Sequence, residues 1–251
     1  MDERSDARPA AGHVRGVCLD LFHTLVDVSE VPARVGGFTA DLLGVERDAW
    51  NRACFGAHHE IRRPTDGYEA IRRLAHALDP RIPDGRIRAA AAARERRFAH
   101  ALRHPRAEVL AALDRLRRAG LRLALVSNAS TAEVAAWEAS PLAGRFDAAV
   151  FSCTCGSAKP EPAIYRHAAG AIGVPPQACA FVGDGGSDEL RGARRVGMLA
   201  VQCRHFTRRR PDLARQRAGA DAHHVAEDLE GVVALLLGET PRRARFDRAS
   251  D

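Results

Sequence analysis

Long apolar runs are missing from this 251-residue chain. None approaches the roughly 18 residues that a membrane-spanning helix requires, which excludes a helical membrane protein. The opening Met1-Asp2-Glu3-Arg4-Ser5-Asp6 is polar and acidic rather than basic then apolar, so no secretory signal is expected and the reading is cytoplasmic. Cysteine is sparse and scattered at 18, 54, 153, 155, 179 and 203, three of them inside apolar runs of strand length. That is the pattern of reduced core thiols, not of a disulfide framework. Cys153-Thr154-Cys155 has no second pair or histidine cluster to complete a zinc site. Lysine is almost absent: of 38 Lys plus Arg, only Lys159 is lysine. A bias toward arginine explains the other 37 and leaves the exception to be explained by its place in a motif. The formal charge of +6 raises the question of nucleic acid, but much of it lies in Arg204 to Arg217 and Arg242-Arg243-Ala244-Arg245. Neither stretch has interleaved aromatics or a nucleic-acid module, so both read as solvated basic surface and no nucleic-acid or membrane partner is expected.

What is present is a hydrophobic content of 46%, enough for a packed core. Apolar runs at 15–20, 121–127, 147–152, 178–183 and 198–203 have the length and composition of strands buried on both faces. Segments of helical spacing at 106–119, 131–139, 161–172 and 187–196 alternate with them, and Gly120 reads as a helix C-cap. Such alternation specifies an α/β fold with a doubly wound parallel sheet. The stretch between the first two strands is far longer than a crossover needs. It reads as four helices, 33–43, 46–60, 66–78 and 84–103, with Asp66 and Asp84 as N-caps and Pro64, Pro80, Pro83 and Pro105 as punctuation. The expected division is a core of 14–26 plus 106–238, an inserted helical domain at 27–105, and flexible ends at 1–13 and 239–251.

In an open parallel sheet the reactive edge lies at the carboxyl ends of the strands. Those ends deliver Asp20, then Ser127-Asn128, then Lys159-Pro160-Glu161-Pro162, then Gly183-Asp184-Gly185-Gly186-Ser187-Asp188. Carboxylates, a hydroxyl and an amine at one edge suit phosphoryl transfer. A carboxylate attacks phosphorus, a divalent cation offsets its repulsion with the phosphate oxygens, and fixed donors hold those oxygens. Asp20 is the expected nucleophile and a metal ligand, Asp184 a second ligand, and Asp188 a further ligand or a helix N-cap. Ser127 and Lys159 are expected to hold phosphoryl oxygens, with Lys159 also keeping Asp20 ionised.

Asp20-x-x-x-Thr24-Leu25, Ser127-Asn128, Lys159-Pro-Glu-Pro and Gly183-Asp184-x-x-x-Asp188 resemble the four motifs of the haloacid dehalogenase (HAD) superfamily, in order and each after an apolar strand. The resemblance extends through Gly192-Ala193-Arg194-Arg195-Val196-Gly197-Met198 to Gly219-Ala220-Asp221. It implies a Rossmann-like core, a type-1 helical cap where the insert lies, Mg²⁺ as cofactor, and a backbone carbonyl ligand supplied by Phe22. The substrate it implies is a small phosphorylated molecule, bound by a monomer or homodimer.

One position departs from the pattern. Phosphatases of this superfamily carry Asp two residues after the nucleophile as general acid and base; here Phe22 stands there. Losing a general acid typically costs about 10²–10⁴ in rate. Three readings follow. The enzyme is a phosphatase whose proton comes from elsewhere (His23, or His58 and His59) or whose leaving group needs little help. Or it resembles haloacid dehalogenases, which have an aromatic residue here but lack the Asp184/Asp188 pair. Or it has lost turnover and serves as a binding scaffold. A phosphonate-cleaving relative that uses a cap lysine is excluded, since residues 27–105 contain none. Candidate substrate contacts are His23, Asn128, His58, His59 and Arg62, with Arg204 and His205 comparable.

Overall fold

Val17-Cys18-Leu19, Leu123–Val126, Ala180–Val182 and Leu199–Val201 offer apolar side chains to both faces, and each sits wholly buried inside one sheet. A computed structural model describes residues 14–56, 61–218 and 221–240. Of the expected loose ends 1–13 and 239–251, residues 1–13 and 241–251 lie outside the described residues, as do the candidates His58 and His59. Strands β1 (Gly16–Leu19), β2 (Arg122–Ser127), β3 (Ala148–Phe151), β4 (Cys179–Gly183), β5 (Leu199–Cys203) and β6 (His224–Ala226) form a parallel sheet in the order β3-β2-β1-β4-β5-β6. Leu19 is in register with Leu125 on one side and Val182 on the other, so β1 is central. The chain reverses direction of winding beside β1, and this switch point is where an open α/β sheet leaves a crevice. Asp20 follows β1 directly.

The period of two along each strand sorts side chains between two cores. Val17, Leu19, Leu125 and Val182 meet helices α5 (Ala107–Arg118) and α11 (Leu229–Leu237). Cys18, Ala124, Val126 and Phe181 meet α8 (Pro162–Ala171) and α9 (Glu189–Arg195). In α5 the buried residues are Val109, Ala112, Leu113 and Leu116, the spacing of one helical face. Gly120, with φ +83°, follows the cap residue Ala119. The short elements α6 (Thr131–Val134), α7 (Ser152–Cys155) and α10 (Pro211–Gln216) complete the core. The expected helix over 131–139 breaks after Val134 and resumes as a 3₁₀ turn at Trp137–Ala139, where the Trp137 ring packs on Phe146 and Phe151. Strand β6 had no apolar run to announce it: it has three residues, and Val225 is exposed.

Between β1 and α5 lies a helical lobe of α1 (Thr39–Leu43), α2 (Arg47–Gly56), α3 (Gly67–Leu78) and α4 (Asp84–Arg103). It has a core of its own around Leu43, Trp50, Ile71, Ile82 and Ile87. Asp66 caps α3, accepting from the Glu69 N–H at 3.0 Å. Pro83, not Asp84, holds the N-cap position of α4. The helix expected over 33–43 is confined to its last turn and a half because Gly36 passes tightly against α4, where a Cβ would sit 2.7 Å from the Ala93 carbonyl. Arg97, buried in α4, ties this entry down by donating to the Gly36 and Val28 carbonyls at 3.1 and 2.7 Å. Among the described residues no helix is long and apolar enough to cross a membrane.

Candidate active site

Asp20 leaves the end of β1 with a buried carboxylate whose two oxygens are both engaged. Thr24 Oγ1, one tight turn later, donates to Oδ2 at 2.9 Å, and Lys159 Nζ donates to Oδ1. Lys159 also donates to Glu189 Oε2 at 2.6 Å, so the one lysine of the chain lies between two buried carboxylates. Burial alone would depress its pKa, but Asp20 and Glu189 outweigh that and raise it. Burial pushes Glu189 up, Lys159 pulls it back, and the Asp20 charge adds to the rise. Lys159 is itself held by Asn128, whose side-chain amide donates to the Lys159 carbonyl at 2.9 Å and accepts from its N–H at 2.7 Å. Asn128, expected at the substrate, is therefore committed to positioning the lysine.

Asp20, Asp184 and Glu189 each offer an oxygen, all within 4.8 Å of one another, and form the one such acidic group found among the described residues. Asp188 is not part of it. The structure places Asp188 exposed, at φ +52° and at the N-cap position of α9 without a capping hydrogen bond, and gives the third carboxylate to its neighbour Glu189. Glu189 fits there because Gly183 has no side chain: a Cβ on Gly183 would collide with the Glu189 carboxylate. The Gly185 N–H donates to Glu189 Oε1 at 2.9 Å, and Tyr165 donates to the Glu189 carbonyl at 2.8 Å. Asp184 Oδ1 accepts from the Gly186 N–H at 3.0 Å, and its Oδ2 faces the guanidinium of Arg217. Burial lowers the Arg217 pKa, with the Asp20 and Asp27 charges opposing that shift. Buried Gln202 stitches the two segments, donating to the Asp184 and Arg217 carbonyls at 3.1 Å each.

Ser127, at the end of β2, is fully buried, and its hydroxyl has no hydrogen-bond partner among the described residues. A buried polar group without a partner is costly unless something binds it, and a phosphoryl oxygen would satisfy it.

The loop after Asp20 turns sharply. His23 sits in left-handed backbone, φ +63°, and its N–H donates to the Val26 carbonyl at 2.7 Å. Its Nδ1 lies 3.3 Å from the buried carboxylate of Asp27. Burial would raise Asp27, but His23 and the Ser29 N–H at 2.8 Å win and hold its pKa at about 2. The Phe22 ring meets Phe98 of α4 edge-on, centroids 5.1 Å apart, so the position of the missing acid joins core to lobe. Arg62 is ion-paired to Glu161, within the Lys159 motif, and its side chain stays partly exposed. Arg204 pairs with Glu227 at 3.2 Å, and His205 is buried beside Phe206 and 3.9 Å from Glu108. Sequence reasoning missed Glu189 and Arg217. The first stood one residue from an expected ligand; the second stood in a run of arginines with nothing to distinguish it.

The family description of haloacid dehalogenase-like hydrolases matches residues 14–197. The chain is 34% identical over 149 residues to a phosphoserine phosphatase of Thermus thermophilus, covering 56% of this chain and 60% of that protein. It spans between 55% and 60% of the length of three curated relatives named as phosphatases, among them a glyceraldehyde 3-phosphate phosphatase of Methanopyrus kandleri, 35% identical over 137 residues and covering 53% of this chain. In fold it is similar to L-2-haloacid dehalogenase from Xanthobacter autotrophicus with chloropropionic acid covalently bound, at 20% identity and TM-score 0.60, covering 90% of this chain and 100% of that one. It is also similar to CbbY from Rhodobacter sphaeroides in complex with phosphate, at 23% identity and TM-score 0.58, covering 86% and 95%.

Proposed function

The chain belongs to the haloacid dehalogenase-like hydrolases, and on that premise we propose that it removes phosphate from a small phosphorylated molecule through an aspartyl-phosphate on Asp20. The observation that carries this reading is the meeting of Asp20, Asp184 and Glu189 within 4.8 Å, beside Lys159 and the unpartnered Ser127 hydroxyl. The phosphatase names of the partly overlapping relatives support the same class of substrate.

Lys159 holds Asp20 ionised and aimed, and Thr24 fixes the rotation of its carboxylate. An Asp20 oxygen attacks phosphorus, the bond from phosphorus to the leaving oxygen breaks, and water later cleaves the aspartyl-phosphate. Ser127 and Lys159 receive phosphoryl oxygens during the transfer. Asp20 and Asp184, with the Phe22 carbonyl, would hold Mg²⁺, and the buried acidic oxygens suit a hard cation. When bound, that ion supplies charge neutralisation between the incoming phosphate and the carboxylates. The helical lobe serves as the cap that covers the site and sets specificity.

With Phe22 where an acid would stand, the leaving oxygen departs with little protonic help. His23, next in sequence to Phe22 and 3.3 Å from the Asp27 carboxylate, is the candidate to supply a proton. The enzyme is therefore expected to favour low-pKa leaving groups such as aryl or acyl phosphates. Rates across aryl phosphates of graded leaving-group pKa should fall steeply as that pKa rises; a flat dependence with fast alkyl-phosphate hydrolysis contradicts this. The aromatic Phe22 also favours a second reading, cleavage of a carbon–halogen bond, in which halide leaves unprotonated. That reading gives Asp184 and Glu189 no task.

A further inference from the structure

Ser127 is fully buried, so a phosphoryl group reaches it only if what surrounds it moves. The segment leading from it to α6 is fixed at each successive residue. Asn128 is tied to Lys159, and Ser152 Oγ accepts from the Ala129 N–H at 3.0 Å. The Ser130 N–H donates to Glu133 Oε2 at 2.8 Å in a capping box. The first two anchors belong to the core. The third reaches further, because the other oxygen of Glu133 accepts from Arg94 of α4, in the helical lobe. One carboxylate thus holds the Ser127 segment with one oxygen and the lobe with the other. The Arg94 and Glu133 side chains are 24% and 14% exposed, so water and salt screen them less than a surface pair. The lobe also touches α6 elsewhere: the Thr65 N–H donates to Thr131 Oγ1 at 3.3 Å, and a Cβ on Gly67 would lie 2.9 Å from that of Ala132. Arg94 lies 4.7 Å over the Phe98 ring, and Phe98 meets Phe22, two residues after Asp20.

We propose that Arg94 and Glu133 are a positioning pair for phosphoryl transfer, through which the seating of the lobe fixes the segment that carries Ser127. The proposal rests on the reading of Ser127 as a donor to a phosphoryl oxygen. With the lobe seated, Arg94 holds Glu133, Glu133 holds Ser130, and the Ser127 hydroxyl is set. When the lobe lifts, the pair parts, Glu133 keeps only its capping contact, and the segment loosens enough to admit a phosphoryl group. The pair acts through Ser127, not on the substrate. A misplacement of about 1 Å at a reacting centre is enough to cost about 10²-fold in rate, so a contact three residues away can set it.

The test is a double-mutant cycle on the full chain, with 4-nitrophenyl phosphate as substrate at saturating Mg²⁺. Arg94→Gln and Glu133→Gln remove the charges, and glutamine at 133 can still accept from the Ser130 N–H, so α6 keeps its cap. Each is expected to lower kcat/KM about tenfold, the two together no further than either alone, and Arg94→Lys less than Arg94→Gln. Glu230→Gln is the control for loss of an ion pair, since its partner Arg115 also lies in the core, and it should stay within about threefold of the unaltered protein. The deciding arm is Ser127→Ala. In that background Arg94→Gln should cost less than about twofold, because the group it positions is gone. Amide exchange at 128–134 should quicken in Arg94→Gln relative to β1 and β4, a readout independent of turnover. Equal losses from Arg94→Gln with and without Ser127 overturn the inference. So does a kcat/KM unchanged by both glutamine variants, or exchange unchanged at 128–134; all three leave the reading of Ser127 standing. An unchanged rate in Ser127→Ala, or no turnover by the unaltered protein, overturns that reading and the inference with it.

Discussion

Ser127 is a buried hydroxyl with no hydrogen-bond partner among the described residues, and that makes it a sensitive probe of the site. If its role is to receive a phosphoryl oxygen, Ser127→Ala removes a group that contributes little to folding and much to binding. The expected outcome is an unchanged or slightly raised melting temperature together with a kcat/KM lower by about 10- to 100-fold, as for loss of one oxyanion donor at the low end. Asp27 allows a different test, by pH. Its folded pKa of about 2 lies below the ordinary value, so the stability it contributes is fully present above the unfolded pKa and is lost as pH falls through the folded one. Urea unfolding between pH 5 and 2 should therefore show unaltered protein losing stability relative to Asp27→Asn across roughly pH 4 to 2. Parallel curves would mean that the His23 and Ser29 contacts do not hold Asp27 down. At this scale Asp20, Lys159 and Asp184 were legible because each follows an apolar strand, and strand ends converge at one edge. Glu189 was not, because its entry depends on the bare Cα of Gly183, a steric fact that appears only once the strand and helix are placed. Arg217 was not, because only the fold of residues 204–217 distinguishes it from the other arginines of that run.

The elements that matter most beyond the sheet are the loop after β1 and helix α4. Phe22 and Phe98 meet edge-on across the boundary between core and lobe, and Arg94 lies over the Phe98 ring while pairing with Glu133 of α6. Phe98→Ala opens a cavity there and should cost about 3 kcal/mol or more in unfolding free energy. It should also loosen the lobe preferentially, seen as faster amide exchange in 39–103 than in the strands. Uniform exchange across both would show that the ring pair does not seat the lobe. The helices of the lobe were readable from spacing and from Asp66, whereas their ends were set by tertiary contact. Gly36 against the Ala93 carbonyl confines α1, and Pro83 displaces Asp84 from the cap. Strand β6 lacked any signal because a three-residue edge strand needs no apolar run.

Across the whole molecule, a six-stranded parallel sheet with β1 at its centre collects side chains from segments as far apart as 20 and 217 into one buried cluster. The doubly wound core and the inserted helices followed from alternation and from one overlong interval. The substrate did not, because no residue pattern in the inserted segment specifies a ligand. The central claim, cation-dependent phosphate-ester hydrolysis through Asp20, is tested most directly by phosphate release from aryl phosphates with Mg²⁺ and with EDTA, for the unaltered protein and Asp20→Asn. The same samples are assayed for chloride release from 2-chloropropionate. The account predicts phosphate release that requires Mg²⁺ and vanishes in Asp20→Asn, with no chloride. Chloride release that persists in EDTA, without phosphate release in Mg²⁺, would contradict it.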